Sequence, residues 1–278
     1  MQIAFSPCPN DTFVFHAWAH GLLPDAPPLE VTYADIDITN NLAVTPDGLE
    51  VMKISYAALP WVLDEYALLP CGGALGRGCG PLVLTRTGAI SPEELSGKRV
   101  AVPSERSTAY LLFRLWAAKY VPGGVGEIIV MPFDQIMPAV QEGSIDAGLV
   151  IHEARFTYTN YGLHMLVDLG NWWEEDTGLP IPLGAIIARR TLPLAQISQW
   201  IRQSVDHAWK HPEASREYIL SHAQEMSPDV AESHIALYVN EFTAELGEDG
   251  YAAIEALLGR ASAEGLVPAF DLAKLRSL

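Results

Sequence analysis

Short apolar runs punctuate the first two-thirds of the chain, and helical periodicity takes over in the last third. Residues 3–5, 29–33, 51–54, 81–85, 99–102, 128–130, 145–151, 165–168 and 183–188 read as strands. Helices are predicted between several of them. One runs from Thr12 through Trp18 and stops near Gly21, with Asn10 or Asp11 as its cap. Another carries an apolar stripe of Leu111, Leu112, Leu115, Trp116 and Ala118, and a third spans about 134–141. Residues 35–41 read as a polar loop leading to a short helix. Pro60 falls about one turn after Ser55, so the helix there is either kinked or begins at the proline. From Leu194 the spacing is helical through Ile201, Val205 and Trp209, breaks at His211-Pro212, and resumes to Gly265.

This order predicts an α/β fold of two lobes. Residues 1–85 and 186–278 form the larger one and residues 86–185 the smaller. Two crossings imply a hinge and a ligand cleft between them. The run at 145–151 reads as a buried strand of a parallel sheet, and it stops abruptly at His152-Glu153. Ligands of open α/β sheets bind outside the carboxyl ends of the strands, and histidine titrates near neutral pH. Two readings stand for His152: a group that closes the strand against a loop, and a group that handles protons in the crevice.

Composition narrows the class. Of 278 residues nearly half are hydrophobic, which allows a sizeable core, and the formal net charge is −17. That charge argues against a nucleic-acid surface and means an anionic ligand needs local donors. No segment reaches the length of a membrane span, and the N-terminus lacks a basic stretch followed by an apolar one, so a cytoplasmic location is expected. Cys8, Cys71 and Cys79 show neither a disulfide framework nor zinc spacing.

Three helix starts directly follow predicted strands: Asn10-Asp11, Ser55-Tyr56 and Ser107-Thr108-Ala109. Each is either a simple cap or an anion receptor, with Lys53 able to add charge near Ser55. The glycines between Cys71 and Pro81 lead into a strand, which excludes a dinucleotide fingerprint and suggests flexible backbone near a ligand or between lobes. His16 and His20 lack the glutamate of a zinc helix and read as a packed or solvated pair. Cys8 reads as a small buried residue, and Trp172-Trp173 either line a ligand or pack the second lobe.

Several motifs, in order along nearly the whole chain, carry a resemblance. They are Ser6-Pro7-Cys8-Pro9-Asn10-Asp11-Thr12-Phe13, Lys53-Ile54-Ser55-Tyr56-Ala57, Gly72-Gly73-Ala74-Leu75-Gly76-Arg77-Gly78, Gly148-Leu149-Val150-Ile151-His152-Glu153, Phe156-Thr157-Tyr158 and Trp172-Trp173-Glu174-Glu175. Together they resemble the 1,4-dihydroxy-6-naphthoate synthases of the futalosine route to menaquinone. The resemblance implies a fold like type II periplasmic binding proteins with an interlobe cleft. It implies a small anionic carboxylated substrate, cyclic dehypoxanthinyl futalosine, cleaved to 1,4-dihydroxy-6-naphthoate and a dihydroxyacetone-type fragment. His152 matches the family's proton acceptor. Lys53, Ile54, Ser55, Thr108 and Ala109 match substrate-binding segments, and Asn40 matches a further contact. Glu153 is either an orienter of the imidazole or a loop contact. No metal or organic cofactor, nucleic acid or membrane is implied. Two alternatives are a non-catalytic solute-binding protein of the same fold and the chorismate dehydratase of the same pathway.

Overall fold

A computed structural model describes residues 1–88, 90–152, 154–223 and 227–277. The chain divides into two compact units, Met1–Gly76 with Pro182–Leu278, and Arg77–Ile181. The first crossing therefore precedes the strand Leu82–Thr85, which the sequence reading had placed in the larger lobe. That strand pairs with Ala147–Val150 and His164–Asp168, so its hydrogen bonds belong to the second sheet.

In the first unit the sheet runs Glu30–Tyr33, Gln2–Phe5, Val51–Ser55, Ile181–Arg189, Tyr66–Leu68, and Ala74–Gly76 pairs with Ile181–Arg189 as well. The first three strands are mutually parallel, and Ile181–Arg189 returns antiparallel to Val51–Ser55. All three parallel strands therefore end on one edge, which they give to Ser6, Ala34 and Ser55. The helix Pro9–Ala19 starts three residues before Thr12, where the capping pattern puts its first residue. Pro9 occupies its first turn, where the missing N–H costs nothing, and Cys8 is the N-cap. This helix is buried nearly all round because it lies between the sheet and the helix Leu194–Lys210. Phe5 stacks on Phe15 at 4.8 Å, and Ser204 Oγ donates to the Val14 carbonyl at 2.6 Å. Residues 36–43, expected to begin as loop, are helical from Ile36, which places Asn40 within a helix. Pro60 lies inside a short 3₁₀ helix, Tyr56–Trp61, whose tighter turns tolerate it there.

The second unit has the order His164–Asp168, Leu82–Thr85, Ala147–Val150, Val100–Val102, Ile128–Val130. Ala147–Val150 is parallel to Val100–Val102 on one side and antiparallel to Leu82–Thr85 on the other, so this sheet is mixed rather than purely parallel. Its core gathers Leu82, Leu84, Ile136, Val140 and Ile145. In the helix Thr108–Tyr120 the buried stripe includes Phe113 and Ala117, whereas Ala118 faces out.

The glycine-rich stretch carries the crossing between the two units, and Gly72, Gly73 and Gly80 within it are closely packed. A Cβ on Gly80 would overlap the backbone N and Cα of Gly170, and one on Gly73 would lie 2.6 Å from the Gly184 carbonyl oxygen. These glycines allow backbone to approach backbone. Trp173 is fully buried and donates from Nε1 to the Pro180 carbonyl at 3.0 Å, so it packs the second unit.

Candidate active site

Val51–Ser55 positions three of the candidate residues. Strand alternation puts Lys53 and Ser55 on one face and Ile54 on the other, where it is fully buried. An Ile54 contact with a ligand would therefore run through backbone. Opposite the strand, Gly184 leaves room for Lys53. A Cβ there would come within 2.8 Å of Lys53 Cε.

Lys53 Nζ makes an ion pair with Asp11 Oδ1, and both side chains are almost wholly buried. Asn10 Nδ2 also donates to Asp11 Oδ1, at 2.8 Å, and Asn10 Oδ1 meets His234 Nε2 at 3.0 Å. Burial pushes the Asp11 carboxyl up against the opposing pull of Lys53 and of the Ser6 backbone. The positive charge that the sequence places near Ser55 therefore has a buried carboxylate beside it.

Asn40 is wholly buried on the helix Ile36–Ala43 and meets Ser55 twice. Its Nδ2 donates to Ser55 Oγ at 2.9 Å, and its Oδ1 accepts the Ser55 N–H at 2.7 Å. Ser6 Oγ, on the same sheet edge, donates to Asp35 Oδ1 at 3.2 Å.

In the second unit Val100–Val102, Ile128–Val130 and Ala147–Val150 run parallel, with Ala147 opposite Val100. Their carboxyl ends share one edge. Val102 leads through Ser104 and Ser107 to Thr108 and Ala109, both buried at the start of the helix Thr108–Tyr120. Ser107 is the cap, and its side chain accepts the Tyr110 N–H at 3.1 Å. Thr108 and Ala109 thus stand at the N-terminal end of a helix, where the helix dipole favours negative charge.

Val150 leads to His152. Its φ of 55° makes it the one non-glycine residue in the left-handed region among the described residues. That conformation costs about 1–2 kcal/mol for a residue with a Cβ. It turns the chain sharply between the strand and the helix Ala154–Thr157. The ring packs 5.3 Å from that of Phe133, which begins the helix after Ile128–Val130, and its Nε2 is shielded from solvent. Arg155 anchors the turn, donating to the Gly80 carbonyl at 2.8 Å and pairing with Asp168 at 2.5 Å. Asp168 in turn caps the helix Leu169–Thr177. The sequence reading missed Arg155, which sits one turn past the histidine. Glu153 lies outside the described residues.

The remaining candidates resolve simply. The rings of His16 and His20 pack in a tilted arrangement 4.4 Å apart, and no metal-binding group of His, Cys, Asp and Glu occurs among the described residues. Cys8, Cys71 and Cys79 are buried and reduced, and burial pushes the thiols of Cys71 and Cys79 up to about 12. No helix among the described residues is long and apolar enough to cross a membrane.

Residues 1–263 match a family model described as menaquinone biosynthesis. The 1,4-dihydroxy-6-naphthoate synthase of Streptomyces coelicolor is 69% identical over 97% of this chain and 95% of its own. That of Thermus thermophilus is 46% identical over 96% of this chain and 95% of its own. The alkanesulfonate-binding protein SsuA from Xanthomonas axonopodis pv. citri superposes with a TM-score of 0.72 over 97% of this chain and 94% of its own. At 15% identity that likeness shows the fold alone, an α/β fold of the periplasmic-binding-protein type with two sheets. With the near full-length identity to two synthases, the chain belongs to the 1,4-dihydroxy-6-naphthoate synthase family of menaquinone biosynthesis.

Proposed function

We propose that the chain is a carbon–carbon lyase that converts cyclic dehypoxanthinyl futalosine to 1,4-dihydroxy-6-naphthoate and a dihydroxyacetone-type fragment, with His152 as general base. The observation that carries this reading is the backbone of His152. A histidine held at φ 55° at the carboxyl end of a buried strand is costly to keep, and such outliers cluster where geometry serves chemistry. Two further arrangements support it, the packing of Phe133 on the ring and the Arg155 anchor one turn later.

In this reading His152 removes a proton from the bound substrate, and the electron pair left behind drives cleavage of the carbon–carbon bond. Aromatisation of the naphthalene ring supplies driving force. A positioned base typically contributes about 10²–10⁴-fold. Orientation of the substrate supplies further acceleration. Ser55, Thr108 and Ala109 act as hydrogen-bond donors to the substrate. The chain's strong negative charge makes such neutral donors necessary for an acidic ligand.

The test is incubation with cyclic dehypoxanthinyl futalosine, with chorismate, the substrate of the dehydratase, as control, and product mass as readout. Formation of 1,4-dihydroxy-6-naphthoate from the first alone is expected. Binding of either compound without turnover would contradict the reading.

A further inference from the structure

Asn40 is matched by family likeness to a substrate contact, yet both ends of its carboxamide are turned to Ser55. The geometry there fixes which proton goes where. The Ser55 backbone N–H can only donate, so the carboxamide atom 2.7 Å away is the oxygen. The other atom is then the nitrogen, and it donates to Ser55 Oγ at 2.9 Å. Ser55 Oγ receives a proton from Asn40, which leaves its own O–H to be donated elsewhere. Among the described residues no hydrogen bond takes that proton, and the ammonium of Lys53 on the same strand face has no lone pair to accept it.

We infer that Asn40 is a positioning residue that commits the Ser55 hydroxyl to donation, and that the group it serves is the carboxylate of the acidic substrate. A hydroxyl held as a donor suits a partner that only accepts, and an ionised carboxylate is such a partner. The sugar-derived hydroxyls of the proposed substrate donate as well as accept, so they gain nothing from a fixed polarity. Lys53, on the same strand face, is already paired with Asp11, which leaves Ser55 as the neutral donor there. The inference rests on the proposed substrate and adds the role of Asn40 and the atom that Ser55 meets.

A double-mutant cycle tests it. Ser55→Ala removes the donor. Asn40→Asp supplies a carboxylate that accepts from both the Ser55 N–H and its O–H, which turns the hydroxyl inward. Binding of 1,4-dihydroxy-6-naphthoate, and of 1,4-dihydroxynaphthalene, which lacks the carboxylate, is measured by calorimetry alongside thermal melts. Each single variant should weaken naphthoate binding about tenfold or more, and the double variant should match either single one to within about threefold. Binding of the diol should not change in Ser55→Ala. Losses that multiply in the double variant, wild-type naphthoate binding by Ser55→Ala, or an equal loss for both ligands would overturn the inference. Should Asn40→Asp not fold, Asn40→Ala takes its place in the cycle under the same requirement of non-additivity. A wild-type protein that bound neither the naphthoate nor the futalosine substrate would instead refute the functional reading.

Discussion

Lys53 and Asp11, 42 residues apart in the chain, form an ion pair with scarcely any access to water. Their attraction in a poorly polarisable interior offsets the cost of desolvating both, but only while both are present. Removing one leaves the other charged, buried and alone. Asp11→Ala is therefore expected to destabilise the protein by about 3–5 kcal/mol. The double change Asp11→Leu with Lys53→Met, which removes both charges, should recover most of that loss. Denaturant titration of the three proteins checks this. Wild-type stability in Asp11→Ala would show that the pair does not stabilise the fold.

Acid should weaken the first unit through His16. Burial, with lesser contributions from His20 and His207, holds the His16 imidazole at about 4, against 6.5 for the free side chain. Burial holds His207 down as well, in the same direction. The folded state keeps His16 neutral where the unfolded chain would take up a proton, so its contribution is complete above about 6.5 and is lost as pH falls toward about 4. Stability measured across that window should decline less steeply in His16→Gln than in the wild type. Equal slopes would remove His16 as a cause.

The left-handed backbone of His152 has a cost that substitution can expose. Glycine adopts φ 55° freely, whereas alanine meets the same clash as histidine. His152→Gly should therefore be more stable than His152→Ala by about 1 kcal/mol, even though glycine usually destabilises through the unfolded state. Thermal or chemical denaturation of the two variants decides it. An alanine variant as stable as the glycine one would mean that the turn relaxes without the imidazole.

What the sequence revealed depended on how local the cause was. The strands before Ser6, Ser55 and His152 announce themselves as apolar runs, and the residue that ends each run follows from where the run stops. The buried partner of Lys53 was not legible, because nothing within one turn of either residue points to the other. Nor was the role of Asn40, whose helix was read as loop and whose carboxamide is spent on a residue 15 positions away. Composition does not distinguish glycines that give freedom from glycines that permit close approach. Gly80 against Gly170 and Gly73 against Gly184 are contacts between distant segments, visible only once the chain is folded. The same holds for Leu82–Thr85, whose sheet is chosen by its partners Ala147–Val150 and His164–Asp168 and not by its own residues.

The most direct test is the paired measurement of substrate affinity and turnover in His152→Ala, with cyclic dehypoxanthinyl futalosine as substrate. If the imidazole is the general base, affinity stays near that of the wild type while kcat falls about 10²–10⁴-fold. Wild-type turnover in that variant, or a loss confined to binding, would contradict the assignment.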